Sequence, residues 1–151
     1  MDAIDKKILM ILQKDAKQNT KEIASQIGLT VSPTFERIKK LEQQNYIKGY
    51  VAVLNREKIG KAIMAYCQLS LFKHSKPLIE NFRQAIASFP EVLSCHHVSG
   101  NYDFLLKVAV YDMNEYQRFV VEKLSTIDGI SNIQSSFVME VMKDDMVYEL
   151  S

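Results

Sequence analysis

The densest set of metal-type ligands in the chain is the run Cys95-His96-His97. On a strand Cys95 and His97 point to one side and His96 to the other, so only two of the three could share an ion. Zinc sites usually take four ligands, three of them from protein when catalytic. No CxxC or HxxxH spacing supplies the rest, so no metal is expected. His74 reads as a solvated loop residue and the pair Asp144-Asp145 as a polar edge. There is no nucleophile elbow, no Gly-rich phosphate loop and no acid–base pair with a scaffold. The chain therefore reads as a protein other than an enzyme, with no cofactor.

Two segments carry more. In Ser99-Gly100-Asn101-Tyr102-Asp103, Gly100 and Asn101 are explained by a hairpin turn that needs positive φ. Asp103 is not, because it interrupts a hydrophobic strand start and requires solvent or a cationic partner. The second segment is KEIASQIGLTVSPTFERIKKL, Lys21 to Leu41. Ser32 is a good N-cap and Pro33 a good first helical residue, so a helix is expected from Pro33. At 100° per residue Thr34, Ile38 and Leu41 form its inward stripe. Ser32, Glu36, Lys39, Lys40 and Gln43 lie opposite, with Phe35 and Arg37 on the flanks. The preceding helix, capped by Thr20, buries Ile23, Ala24 and Ile27 and stops at Gly28, the default residue for a left-handed C-terminal turn. This is a helix-turn-helix with a polar, partly basic outer face suited to phosphates and base edges; a plain αα-hairpin with a solvated face is the alternative.

The elements that must position these segments follow from periodicity. Asp2 caps a first helix with Ile4, Ile8, Leu9, Ile11 and Leu12 on one face, ending near Lys17 to Thr20. Asn45 supplies a left-handed C-terminal turn. Residues 46–54 read as a strand or linker arm, and residues 55–60 as a helical turn between domains. Beyond it, strands are expected over 62–72, 91–98, 102–110 and 133–142. Helices are expected over 76–88 and from the cap Asp112, with Glu115 as capping-box partner. The order βαββαβ is the ferredoxin-like unit. The fold class is α+β, with a helix-turn-helix domain over 1–54, a linker over 55–61 and a ferredoxin-like domain over 62–151.

Composition agrees. At 151 residues the chain is long enough for one compact domain or two small ones, the latter each needing a partner surface to bury enough apolar area. Residues 1–60 hold 11 Lys and Arg against 7 Asp and Glu, and residues 61–151 hold 8 against 11, so only the first half is biased toward polyanions. Two cysteines give no disulfide framework. The absence of a leader or of a run of about 18 apolar residues is read as a cytoplasmic location without membrane contact.

The residues Asp5, Leu12, Gln13, Asp15, Gly28, Leu29, Ser32, Pro33, Arg37, Ile38, Leu41, Glu42, Ile47, Gly49 and Tyr50, with the segment CHHVSGNYD, resemble the Lrp/AsnC (leucine-responsive, feast/famine) family of transcription regulators over nearly the whole chain. The resemblance implies a winged helix-turn-helix that binds double-stranded promoter DNA through Ser32, Pro33, Thr34, Glu36, Arg37, Lys39 and Lys40. It implies a C-terminal domain of RAM or ACT type that assembles as a homodimer or a higher oligomer such as an octamer. It also implies an amino-acid effector held in a cleft between subunits by Ser99, Gly100, Asn101, Asp103, Asp112 and Tyr116. Asn101 stands where many relatives carry Asp. A ligand-independent architectural DNA-binding protein is the alternative, and a metabolic sensor or enzyme subunit with a vestigial helix-turn-helix a further one.

Overall fold

The computed structural model describes residues 1–150 as two compact units, Leu54–Val141 and Met1–Val53 together with the tail from Met142. By its contacts the tail packs with the first unit.

The first unit has three helices, α1 (Ala3–Lys14), α2 (Thr20–Ile27) and α3 (Val31–Gln43). Their apolar faces meet in a core of Ile8, Leu9, Ile23 and Leu41, against which Ile4, Leu12, Ile38, Ile47 and Leu150 pack. The tail enters through Gln13, whose Nε2 donates to the Tyr148 carbonyl at 3.1 Å while its Oε1 accepts from the Tyr148 amide at 2.7 Å.

Asp2 caps α1 as expected, in a reciprocal box with Asp5. α1 ends at Lys14, before the expected polar stretch. α2 is capped by Asn19, not Thr20: the Asn19 side chain accepts from the Glu22 amide, and the Glu22 carboxylate accepts from the Asn19 amide. The box needs an acid three residues after the cap, and Glu22 stands at that distance from Asn19. Gly28 ends α2 at φ 72°, and Asn45 is also left-handed at φ 58°.

α3 begins at Val31, two residues earlier than Pro33, and Thr30 occupies its cap position without a side-chain bond. Ser32 and Pro33 therefore sit inside the first turn, where proline loses no intrahelical bond because early amides have no partner anyway. α3 is tied to the start of α1 by Arg37, whose Nη1 lies 2.7 Å from Asp2 Oδ2 and 2.7 Å from Asp5 Oδ1. The Asp2 carboxyl is held below its ordinary value first by the Asp5 amide and then by Arg37. Residues 46–54 form no strand: 46–47 are a bend and 48–54 have no regular structure.

The second unit is a four-stranded sheet of β1 (Ile63–Leu71), β2 (Val92–His97), β3 (Phe104–Val110) and β4 (Ile130–Phe137), with helices α4 (Lys76–Ala87) and α5 (Met113–Arg118). The order is β2-β3-β1-β4, antiparallel throughout, which is the ferredoxin-like arrangement. Alternate residues of the central strands face one way: Ala65, Cys67, Leu69 and Leu71 on β1, and Phe104, Leu106, Val108 and Val110 on β3. All are buried with Phe82, Ile86, Tyr116, Phe119 and Leu124. After α5 the chain winds through a π-helical turn, Phe119–Lys123, and a 3-10 turn, Leu124–Thr126. β3 starts at Phe104, not at Tyr102, and β4 starts at Ile130, three residues before the expected Ile133. The β4 pairing begins at once because the Gly129 carbonyl accepts from Phe72 at 3.0 Å.

Asn19→Ala should destabilise the protein by about 1 kcal/mol in chemical denaturation, the usual value of an N-cap, whereas Thr20→Ala should change it by a few tenths. The Asp2 tie has a pH signature. Its folded value lies below the unfolded 3.8, so its contribution is present above that pH and is lost as pH falls through the folded value. The gap in thermal midpoint between the wild type and Asp2→Asn should therefore be full at pH 6 and close as the pH drops below about 3.8. A gap of constant size across that range would contradict the tie.

Candidate functional site

Helix α3 separates the seven candidate residues into two groups. Ser32, Pro33, Glu36, Lys39 and Lys40 are exposed, and with Gln43 they make one outward face. Thr34 does not belong to it. Its side chain is fully buried, with Oγ1 donating to the Thr30 carbonyl at 2.9 Å, as its place in the inward stripe requires. Arg37 is half-buried and committed to Asp2 and Asp5; one guanidinium in two carboxylate contacts is a fixed strut, not a free group for bases. The exposed face thus carries Lys39 and Lys40 as its cations.

Beside that face lies a groove of about 540 Å³, lined among others by Leu12, Ile23, Phe35, Ile38, Glu42 and Tyr50. Phe35 is half exposed on its rim. Tyr50, from the irregular segment after α3, donates its hydroxyl to Glu42 Oε1 at 2.8 Å. Partial burial, then the Glu42 carboxylate, pushes the phenol up to about 12, so it stays a donor at neutral pH. This bond pins that segment to the recognition helix.

The six effector candidates do not converge within one chain. Asp103 precedes β3 and Asp112 follows it, nine positions on, which separates them by roughly 25–30 Å at about 3.3 Å per residue. At the first end, Ser99–Asp103 form an open loop closed by the Val98 amide donating to the Asp103 carbonyl at 2.9 Å. Gly100 alone there has positive φ, at 142°, and a Cβ on it would meet nothing within 4 Å; Asn101 does not adopt the left-handed region. The Asp103 carboxylate accepts from the Leu71 amide through Oδ2 at 2.7 Å and meets His74 Nε2 through Oδ1 at 2.7 Å. The Leu71 amide, and then His74, hold its carboxyl below the ordinary range. His74 is therefore the partner that Asp103 finds within the chain, and its side chain is exposed in its loop, as the sequence reading expected.

At the other end Asp112 caps α5 by accepting from the Glu115 amide at 2.8 Å. The capping box is not closed, because the Glu115 carboxylate accepts from the Tyr111 amide and meets Lys61 at 3.4 Å. Tyr116 is buried, its hydroxyl placed between Cys67 Sγ at 3.1 Å and Ser135 Oγ at 2.5 Å. Burial raises both the Tyr116 phenol and the Cys67 thiol. Tyr116 is thus a hydrogen-bonded core residue under the sheet. His74 and the Tyr116 cluster were missed because each pairs residues 29 and 49 positions apart, which no local spacing reveals. Cys95 and His97 do share a side, both lining a groove between α4 and β2. No group of three or more potential metal ligands exists among the described residues, and no helix among them is long and apolar enough to cross a membrane.

Residues 1–48 match the family model for a winged helix-turn-helix DNA-binding domain, and residues 64–148 that for the Lrp/AsnC ligand binding domain. The chain is 34% identical to the Bkd operon transcriptional regulator of Pseudomonas aeruginosa, covering 93% of this chain and 92% of that one. It is also 34% identical to the leucine-responsive regulatory protein of Escherichia coli, covering 95% and 87%. Among solved structures, a transcriptional regulator from Neisseria meningitidis in complex with L-Met matches at a TM-score of 0.95 and 32% identity over 99% of this chain and 96% of that one. An AsnC family regulator from Agrobacterium tumefaciens matches at 0.93 and 32% over 99% and 97%. An exposed basic helix face, a ferredoxin-like sheet unit and these matches across both halves agree: the chain belongs to the Lrp/AsnC family of DNA-binding transcription regulators.

Proposed function

We propose that this regulator reads promoter DNA with Ser32, Pro33, Glu36, Lys39 and Lys40 and changes its assembly when a free amino acid binds between C-terminal domains. The observation that carries the effector half is the L-Met complex of the Neisseria relative, whose chain superposes on this one almost end to end. A protomer presents its candidate residues at opposite ends of β3, so a complete pocket needs the Ser99–Asp103 loop of one subunit beside the Asp112 end of another. The sheet supports such assembly, since α4 and α5 pack on one face only. The other face shows partly exposed residues such as Tyr66, Gln68 and Leu105. A homodimer formed there would pair two recognition helices about 34 Å apart on successive major-groove turns, and dimers would associate further into a larger ring such as an octamer. Work on promoter DNA is consistent with a cytoplasmic protein.

In the occupied pocket the ligand ammonium meets Asp103 and its carboxylate meets amides of the Gly100 loop, with Ser99 and Asn101 as neutral donors. The second reading, a ligand-independent architectural protein, is favoured by one feature: both Asp103 oxygens already have partners within the chain.

Lys39→Ala with Lys40→Ala should weaken binding to all DNA sequences and reduce the slope of log affinity against log salt by about two at most. Glu36→Ala should change which sequence is preferred. Arg37→Ala should lower the thermal midpoint along with affinity, and leave the ranking of sequences unchanged. Mobility shifts across salt concentrations and a randomised site library read all three, and unaltered curves for the double lysine variant would remove α3 from the groove. For the effector, calorimetry with each of the twenty amino acids should show saturable binding to wild type and none to Asp103→Ala, with DNA binding by the unliganded variant intact. Equal affinity in both proteins would exclude this carboxylate as the anchor.

A further inference from the structure

The two oxygens of Asp103 are held in different ways. Oδ2 accepts from the amide of Leu71, the last residue of β1, and Leu71 is buried, so this bond is part of the sheet's end. Oδ1 is held by an imidazole on the 72–75 loop, and the His74 side chain is 57% exposed. Only the second contact can be exchanged without opening the core. A protonated imidazole offers a carboxylate an N–H with positive charge, and so does the α-ammonium of a free amino acid. His74 therefore stands at the outer oxygen where the reading above puts the ligand's ammonium.

We propose that His74 is a specificity-determining residue of the effector site, an internal stand-in for the ligand's ammonium that occupies Asp103 until an amino acid displaces it. The inference rests on the effector reading of Asp103. It turns the second Asp103 contact from an objection to ligand binding into a competitor of it. The resulting regulation is by pH as well as by ligand. Imidazolium competes more strongly than imidazole, so effector affinity rises as pH climbs through the histidine range, between about 5 and 8.

Other titratable groups surround the pair. His97 on β2 acts on Asp103 through its charge and is stacked on Phe104 at 4.8 Å between ring centres. Lys73 and Lys76 flank His74 along the chain and are exposed, as is Asp128, next to the Gly129 whose carbonyl takes the Phe72 amide. Tyr102 precedes Asp103. Histidine is the side-chain type that ordinarily changes charge between about pH 5 and 8, so His97 is the group that must be separated from His74.

The test is calorimetry on the full chain with each of the twenty free amino acids as probes, at pH 5.5 and 7.5. Wild type should bind its preferred amino acid roughly two- to fivefold more tightly at pH 7.5, the effect expected of a half-exposed ion pair. His74→Asn should bind at pH 5.5 as tightly as at 7.5. His74→Lys, a permanent cation, should bind weakly at both pH values, and His97→Gln should keep the wild-type dependence. A merely structural role would make His74→Asn bind more weakly, and that result overturns the proposal. So does a pH dependence that survives in His74→Asn. If wild type binds without pH dependence and Asp103→Ala abolishes binding, the effector reading stands and the role of His74 falls. If no amino acid gives saturable heat with wild type or His74→Asn at either pH, both fall together.

Discussion

The period-two alternation of β1 and β3 is the constraint from which most of the second unit follows. Residues 65, 67, 69 and 71 on one strand and 104, 106, 108 and 110 on the other are buried against helices, so a one-residue slip would expose the whole set. With register fixed, Leu69 lies opposite Phe104, and the Asp103 amide is brought to the Leu69 carbonyl at 2.8 Å. The same register carries Asp112 to the far end of the sheet. Separation of the two candidate half-sites is thus a consequence of core packing, and only assembly of subunits can join them.

In the first unit the comparable constraint is electrostatic. Arg37 sits one helical turn from Leu41 and Thr34, near the inward stripe, and its charge there needs partners. Asp2 and Asp5 supply them from the first turn of α1, where carboxylates are also favoured by the helix dipole. This arrangement sets the rotation of α3 about its axis. The outward face left to Ser32, Glu36, Lys39, Lys40 and Gln43 is what remains after Thr34 and Leu41 have gone into the core and Arg37 into the tie.

Much of this was legible in the chain because it is local. The 3.6-residue stripes of α1 to α4, the left-handed residues Gly28 and Asn45, and the βαββαβ order depend on neighbours a few positions away. Where sequence reasoning failed, two local signals competed or the partner was distant. Ser32-Pro33 is a strong start signal, yet α3 starts at Val31, and Pro33 is tolerated because the first turn has unpaired amides anyway. Thr20 and Asn19 are both capping residues, and only the position of Glu22 decides between them. The pairing of Gln13 with Tyr148 spans 135 positions; nothing near Gln13 announces it. The Asp103 carboxylate was readable as needing solvent or a cationic partner, but the residue it meets lay in a loop with no pattern of its own.

On the proposed reading of the effector site, Asp103 would serve both the fold and a ligand with one carboxylate. A carboxylate offers two oxygens with about four lone-pair directions. Using one oxygen for the Leu71 amide orders the end of β1 and keeps the group ionised, which is the state a cationic ligand requires. The other oxygen meets the exposed His74 side chain. An unpaired charge there would be well hydrated and would bind any cation weakly. If the proposed effector site holds, the imidazole at 2.7 Å would raise the threshold, so that only a ligand with further contacts, to the Gly100 loop and to a second subunit, would gain enough to replace it. Selectivity would then come from the difference between two groups competing for one oxygen, and not from the strength of the carboxylate alone.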